Sequence, residues 1–414
     1  MALPGLGYEA HTWKEGLLVG HVLAWIAAAY CYYLVRKLPV GIPRLVSSIP
    51  VLALYALLPL IFNRFTHLVG LSSFFCILTW IGSSKVLQLC WSHGPGYDPW
   101  VAASFPRFAI VMTYPAHVKR TDTVVKKVPV EYSSWWNHVS KSEVWYMLAV
   151  RSAVKVAALA ILLQLQYSQR RSIPLILNHL LLSIQLYLFV TIVLEVLAAI
   201  AMATFGITIE PHFDNPFAAA SLGEFWGRRW NLLVSNVLRE TVYNPLLYLL
   251  ESSPKQGIHD QSRALDSSAV NDSKSDSNGK AHGLGSRQRS RSASSEVAAE
   301  IVSVREKEGR RFDISKLVAM LASFLVSGLM HELLVYYATL EAEWKMMSFF
   351  VLQGIAVALE STWKLYHPSN RLPRLVTTVS TLGFAFATGH LLFWPPLDGI
   401  SEQVAMEIQK MLQG

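Results

Sequence analysis

The sequence predicts an all-α, polytopic membrane protein with about eight transmembrane helices and an amphipathic helical element on the cytosolic side. Three observations favour this fold class. Hydrophobic residues make up 52% of the 414-residue chain and charged residues only 15%, whereas soluble chains carry about 25% charged residues. The mean hydropathy is +0.34. Apolar runs near the roughly 20 residues that a bilayer requires recur along the whole chain.

Eight apolar segments are long enough to span a bilayer. Pro50 and Pro59 interrupt the second segment, and the fifth is long enough to be tilted or broken. In chain order the predicted spans are Gly16–Val35, Leu45–Phe62, His67–Cys90, Val144–Gln166, Ile176–Phe205, Ile314–Thr339, Met346–Lys364 and Leu375–Trp394.

The charges of the connecting loops check this count. Loops after the first, third, fifth and seventh spans are rich in Lys and Arg, while the alternate loops hold only Arg64, Arg170, Arg171 and Lys345. Basic loops face the cytosol, so the N-terminus is expected on the opposite side. The basic residues behind the net charge of +8 are spread between apolar runs, which argues against nucleic-acid binding. The first span follows no basic leader and is expected to be retained.

Composition divides the chain into three parts. Residues 1–250 hold the N-terminal membrane helices, and residues 313–414 hold the C-terminal ones. Between them, residues 251–312 are rich in Ser, Asp, Lys, Arg and Gly, which predicts a disordered cytosolic loop. The three cysteines lack metal-ligand spacing, so we expect neither a metal site nor a disulfide framework.

A histidine within the sixth span is the first candidate for chemistry. Ser323, Ser327 and His331 follow one another at intervals of four residues, so they share one face of the helix. A neutral histidine can take a proton from an alcohol as a general base. The alternative is a histidine that only packs between helices. Glu332 projects about 100° away, where it could serve a separate helix contact.

A second candidate lies in the aromatic and basic segment 221–248. Apolar residues recur there at near-helical spacing, with Arg228, Arg229 and Asn231 among them. One interpretation is an interfacial amphipathic helix with snorkelling arginines. The other is a cytosolic site, because arginine suits a phosphate-bearing substrate and an asparagine can bind a developing oxyanion.

The two candidate segments resemble the plant wax synthase family, within the membrane-bound O-acyltransferase superfamily. The matching stretches read EPHFDNPFAAASLGEFWGRRWNLLVSNVLRETVYNPL and SGLMHELLVY. The resemblance implies an enzyme of the endoplasmic reticulum membrane that transfers a fatty acyl group from acyl-CoA to a lipophilic alcohol, with no cofactor. It also implies a membrane-lipid environment, and it leaves a homo-oligomer open.

The resemblance also implies roles for individual residues. His331 would be the general base and Asn231 the second polar residue of the active site. We expect the substrates to contact Trp226, Arg228, Arg229, Trp230 and Ser327. A sterol or diacylglycerol acyltransferase is an alternative within the same class, because the motifs do not separate acceptors. A membrane transporter and a structural scaffold are alternatives of other classes.

Overall fold

The predicted all-α class is confirmed by a computed structural model, which describes residues 12–115, 141–169, 172–205, 212–251, 313–367 and 372–400. Over these ranges the chain forms helices and turns without a strand. The predicted cytosolic loop 251–312 falls, apart from Glu251, outside the described residues.

Fourteen α-helices are numbered here in chain order over the described ranges. They are α1 Trp13–Tyr33, α2 Ile42–Leu57, α3 Leu68–Phe74, α4 Ser83–Cys90, α5 Pro99–Ala102, α6 Phe105–Thr113, α7 Lys141–Gln169, α8 Leu175–Phe205, α9 Leu222–Glu224, α10 Leu232–Leu238, α11 Asn244–Glu251, α12 Ile314–Thr339, α13 Lys345–Tyr366 and α14 Arg374–Thr388. Four π-helical stretches join some of them: Phe75–Gly82, Phe225–Arg229, Arg239–Tyr243 and Gly389–Phe393.

Seven of the eight predicted spans are helical segments long and apolar enough to cross a membrane. The remaining predicted span, Val144–Gln166, lies within α7. This helix does not meet the same hydropathy and charge criterion within the described residues. It carries Arg151 and Lys155, and the Lys155 Nζ lies 2.5 Å from a carboxylate oxygen of Glu195 on α8. Pairing between helices is how such charges are tolerated at membrane depth.

The second span shows how proline is accommodated. α2 continues through Pro50, and the chain tightens into a 3₁₀ turn, Leu58–Ile61, where Pro59 stands. Proline has no N–H to donate and clashes with the preceding turn, so a change of helical geometry at Pro59 is expected. The predicted span is therefore present, with its last turn rewound.

The segment 221–248 is helical, as its spacing indicates, but it is not one continuous helix. α9, α10 and α11 are separated by two π-helical stretches, and Asn231 adopts a left-handed conformation with φ 42°. Asparagine tolerates this region better than most residues. The breaks turn the aromatic side chains in different directions, so that some face α12 and α13 while others face α8.

Two membrane helices, α12 and α13, pack closely along each other because a small residue stands between them. A Cβ added at Gly328 would lie 3.1 Å from the Met347 Cα and 3.1 Å from the Phe350 Cβ. Small residues allow membrane helices to approach in this way, and lipid supplies no hydrophobic drive for their association. This contact brings α13 beside the histidine of the sixth span.

Candidate active site

His331 lies in the second half of α12, which has defined ends. The Asp313 side chain caps the first turn by accepting the Lys316 N–H at 3.2 Å, and Leu340 closes the helix in a left-handed conformation. Because the cap fixes the start at Ile314, His331 stands 17 residues along the helix. That corresponds to roughly 26 Å on an ideal helix.

The His331 imidazole has a defined tautomer. Its Nδ1 lies 2.8 Å from the backbone carbonyl oxygen of Ser327. A carbonyl only accepts hydrogen bonds, so Nδ1 carries the proton and Nε2 of the neutral ring keeps its lone pair. Ser327, which was predicted to contact the substrates, is buried, and it bonds the histidine through its backbone carbonyl.

Three aromatic rings surround the imidazole. Phe350 stacks on it with ring centroids 4.2 Å apart, Trp80 meets it edge-on at 5.1 Å, and Phe393 lies at 6.3 Å. The side chain is half-buried within this cage. The rings hold the imidazole between apolar surfaces, and an apolar surround strengthens any hydrogen bond made at Nε2.

Glu332 has a structural partner. It is buried, and its two carboxylate oxygens accept the N–H groups of Trp344 and Met347 at 2.7 and 3.3 Å. These N–H groups belong to the first turn of α13, where a helix leaves donors unsatisfied and favours negative charge. Glu332 therefore fixes α13 against α12, which places Phe350 over His331.

Trp226 connects the aromatic and basic segment to the histidine. Its ring centroid lies 5.8 Å from that of Phe350, which also stacks on His331. Its Nε1 donates to the Gln353 Oε1 at 3.1 Å, and the Gln353 Nε2 donates to the Thr388 hydroxyl at 2.8 Å. Gln353 is fully buried. One hydrogen-bonded chain thus joins the π-helical stretch 225–229 to α13 and α14.

Trp230 lies on the other side of the same segment. It stacks on Phe225 at 5.4 Å and meets Phe213 edge-on at 5.4 Å. The ring of Tyr187 on α8 lies 6.2 Å away. Trp230 thus packs toward α8, whereas Trp226 packs toward α13.

The two arginines of the segment differ in their surroundings. Arg229 binds Glu224 through Nε at 2.7 Å and Nη2 at 2.6 Å, and donates to the Asp214 carbonyl at 2.9 Å. Burial raises the pKa of the Glu224 carboxyl, but hydrogen bonds from the Ala220 N–H and Arg229 outweigh it and hold the pKa below its usual value. Arg229 therefore clamps the turn, while Arg228 is exposed.

Asn231 is a helix cap in the structure. Its Oδ1 accepts the Val234 N–H at 3.4 Å at the start of α10. No hydrogen bond or ring contact joins Asn231 to His331 in the described part of the chain. α10 approaches the histidine indirectly: Leu233 packs with Ile81, the neighbour of Trp80, and Ser235 donates to the Trp226 carbonyl at 2.8 Å.

The two segments that meet here match one family. The model of the membrane bound O-acyl transferase family matches residues 209–265 and 285–352, which contain Trp226 and His331. Over these residues, which make up less than a third of the chain, the protein is similar to this family. The resemblance on which the sequence analysis rested is confirmed, and the protein is an acyltransferase of the membrane.

Similar proteins extend along most of this acyltransferase. The long-chain-alcohol O-fatty-acyltransferase of Simmondsia chinensis is 29% identical over 382 residues, which is 91% of this chain and 88% of that protein. Acyl-CoA–sterol O-acyltransferase 1 of Arabidopsis thaliana is 26% identical over 384 residues, 91% of this chain and 90% of that protein. Both names describe acyl transfer to an alcohol.

Sequence reasoning missed much of the environment of His331 in this acyltransferase. Trp80, Phe350 and Phe393 carry no local signal, because they come from three separate segments. Lys85 did carry one, as a single lysine within the third span, where a charge is costly. It is buried, and its Nζ donates to the carbonyls of Val111 and Tyr114 at 2.6 and 2.5 Å.

Proposed function

We propose that this acyltransferase moves a fatty acyl group from acyl-CoA to a long-chain alcohol and forms a wax ester, with His331 as the general base. The observation that carries the proposal is the hydrogen bond from the His331 Nδ1 to the Ser327 carbonyl, which leaves Nε2 as a proton acceptor within an aromatic cage. The endoplasmic reticulum is proposed as its location because of the family resemblance.

In the proposed reaction the alcohol oxygen attacks the thioester carbonyl carbon of acyl-CoA. The His331 Nε2 takes the hydroxyl proton as the carbon–oxygen bond forms. The carbon–sulfur bond then breaks, and the histidine returns the proton to the CoA sulfur. General-base catalysis of this kind contributes about a hundredfold to ten-thousandfold to the rate. No metal and no covalent acyl-enzyme are required.

Asn231 is proposed to stabilise the oxyanion that develops on the thioester carbonyl. Its Oδ1 is used in the cap of α10, so the amide N–H₂ is the group available for donation. Such a donor contributes about 3–4 kcal/mol when it is aligned with the transition state. The exposed Arg228 is proposed to meet the phosphates of CoA, whereas Arg229 supports the turn through Glu224.

A sterol is the second candidate acceptor, favoured by the similarity to the Arabidopsis thaliana sterol acyltransferase over 91% of the chain. Both acceptors present one hydroxyl on an apolar body, so the same base serves either. Membranes that contain the protein should be incubated with labelled acyl-CoA and a panel of fatty alcohols, a sterol and diacylglycerol. A sterol ester as the main product would contradict the proposed acceptor but not acyl transfer.

The role of His331 is tested by replacing it with alanine, which should lower ester formation by about a hundredfold or more. His21 provides a matched control, because its Nδ1 also bonds the carbonyl four residues earlier, at 2.7 Å, on an exposed part of α1. His21→Ala should retain activity. Near-normal activity of His331→Ala, at equal amounts of inserted protein, would contradict the mechanism.

A further inference from the structure

A second cluster of titratable side chains lies between α8 and the segment that follows α14. The Nδ1 of His179 is 2.7 Å from the Nδ1 of His390, and the Nε2 of His179 is 3.0 Å from an oxygen of Asp398. His179 is fully buried. The three residues are far apart in the sequence, and the mechanism proposed above uses none of them.

The order of the cluster fixes where its protons lie. The Asp398 carboxylate accepts a hydrogen bond, so in a neutral His179 the Nε2 carries the proton and the Nδ1 has the lone pair. The Nδ1 of His390 must then be the donor between the rings, which leaves its Nε2 as an acceptor. A metal ion does not fit between the two nitrogens, because each would lie about 2.0 Å from the ion, which separates them by more than 3 Å.

One end of this chain of hydrogen bonds is the Nε2 of His390. His390 is half-buried, and its Nε2 makes no hydrogen bond to the residues that the structure describes. Leu391, the next residue along the chain, is 66% exposed. Within a membrane span such an exposed side chain faces hydrocarbon, where a hydrogen-bond acceptor has no water to bond.

The cluster is connected to the cage around His331. His390 and Phe393 belong to one π-helical stretch, Gly389–Phe393, and the Phe393 ring is part of the cage. Trp394, the next residue, donates from Nε1 to the Ser183 hydroxyl on α8 at 2.9 Å. One short stretch of chain, residues 389–394, therefore contributes a ring to the cage around His331 and a histidine to the cluster with His179.

We propose that His390, oriented by His179 and Asp398, binds the hydroxyl of the acceptor alcohol as it enters from the bilayer. The hydroxyl donates to the His390 Nε2, and the alkyl chain remains in hydrocarbon. This inference rests on the proposed acceptor class, a lipophilic alcohol. A buried clamp between helices would need the bond between the two rings, but it would not need an accepting Nε2 on His390, beside the exposed Leu391.

Two substitutions separate these roles. His390→Asn keeps an amide N–H near the Nδ1 position, which preserves the bond to His179, and removes the Nε2 acceptor. His390→Gln places an amide oxygen near the Nε2 position and loses the bond to His179. His367→Asn is the control, because His367 is exposed at the end of α13.

The assays are binding of labelled hexadecanol to the purified full-length protein and the KM values for hexadecanol and acyl-CoA. His390→Asn should weaken hexadecanol binding and raise its KM by roughly three- to tenfold, with the KM for acyl-CoA unchanged. His390→Gln should bind hexadecanol more tightly than His390→Asn. Equal hexadecanol binding by His390→Asn and the wild type would overturn the inference.

A measurement on the wild-type protein needs no variant to fold. Methyl hexadecyl ether has the same alkyl chain and no hydroxyl to donate, so it should bind at least about threefold more weakly than hexadecanol. Equal binding of the two would overturn the inference. Hexadecanol binding without any ester would contradict the proposed function and leave the His390 site intact, whereas ester formation with unchanged binding by His390→Asn would do the reverse.

Discussion

The contact between α12 and α13 at Gly328 makes a sharp prediction. In Gly328→Ala the new methyl group would lie 3.1 Å from the Met347 Cα and the Phe350 Cβ, whereas ordinary contact starts at 3.4 Å. The helices must therefore separate by about 0.3 Å at this point. The obstructing atoms belong to the backbone or adjoin it, so no side-chain rotation relieves the contact.

The size of the effect follows from two opposing contributions. Alanine stabilises a helix by about 0.5–1 kcal/mol relative to glycine. Overpacking of a close contact costs about 1–3 kcal/mol. We expect a net loss of stability of roughly 0.5–2 kcal/mol in Gly328→Ala. Because Phe350 moves with α13 and stacks on His331 at 4.2 Å, activity should fall as well.

The assays are thermal unfolding in detergent and ester formation in membranes. Gly383→Ala is the matched control, since a Cβ there has no atom within 4 Å and the residue is an exposed part of α14. That variant should be as stable as the wild type or slightly more stable. The reasoning is refuted if Gly328→Ala is as stable and as active as Gly383→Ala.

Two further changes test the contacts that Gln353 and Arg229 make with the segment 221–248. Gln353→Met removes two hydrogen bonds, worth about 0.6 kcal/mol each between membrane helices, and leaves the half-buried indole N–H of Trp226 without its acceptor. This variant should unfold at a lower temperature than Gln164→Met, a change at an exposed position of α7; equal unfolding temperatures would contradict this. Arg229→Lys should lower the free energy of unfolding by about 1–2 kcal/mol. Arg228→Lys should lower it by less. The pKa of Glu224 is lowered in the folded state, so its stabilisation is present above the usual carboxyl pKa and is lost as the pH falls through the lowered one. Acid unfolding of Arg229→Lys should depend less on pH, and an unchanged acid limb would oppose this account.

The spans were predictable because lipid imposes a length and a composition on each helix. α12 begins and ends at the residues expected from its apolar run, Ile314 and Thr339. The segment 221–248 was harder, because its aromatic residues recur at near-helical spacing although Asn231 interrupts the helix. Apolar periodicity reports which face is apolar but does not reveal a π-helical stretch, which shifts that face without changing the composition.

The cage around His331 could not be predicted from local sequence. Its rings come from the π-helical stretch 75–82, from α13 and from the stretch 389–393. Their meeting depends on close helix contacts, such as the one at Gly328, which only the folded chain defines. Charged residues inside spans carry a usable signal, since the cost of a charge in hydrocarbon implies a partner. Lys155 forms an ion pair with Glu195, and Lys85 donates hydrogen bonds to backbone carbonyls.

The depth of His331 decides how two substrates could meet. The Asp313 cap fixes the start of α12, so a later start cannot bring the histidine nearer the predicted cytosolic side. Either α12 is tilted or the thioester reaches deep between the helices, past the wall that Trp226 and Phe350 form. On the proposed mechanism acyl-CoA approaches from the cytosolic side of this wall. The His390 cluster lies just beyond the C-terminal end of α14, beside the lipid-exposed Leu391. An alcohol entering there would reach His331 without crossing the path of CoA, and the apolar cage would exclude water, the competing acceptor.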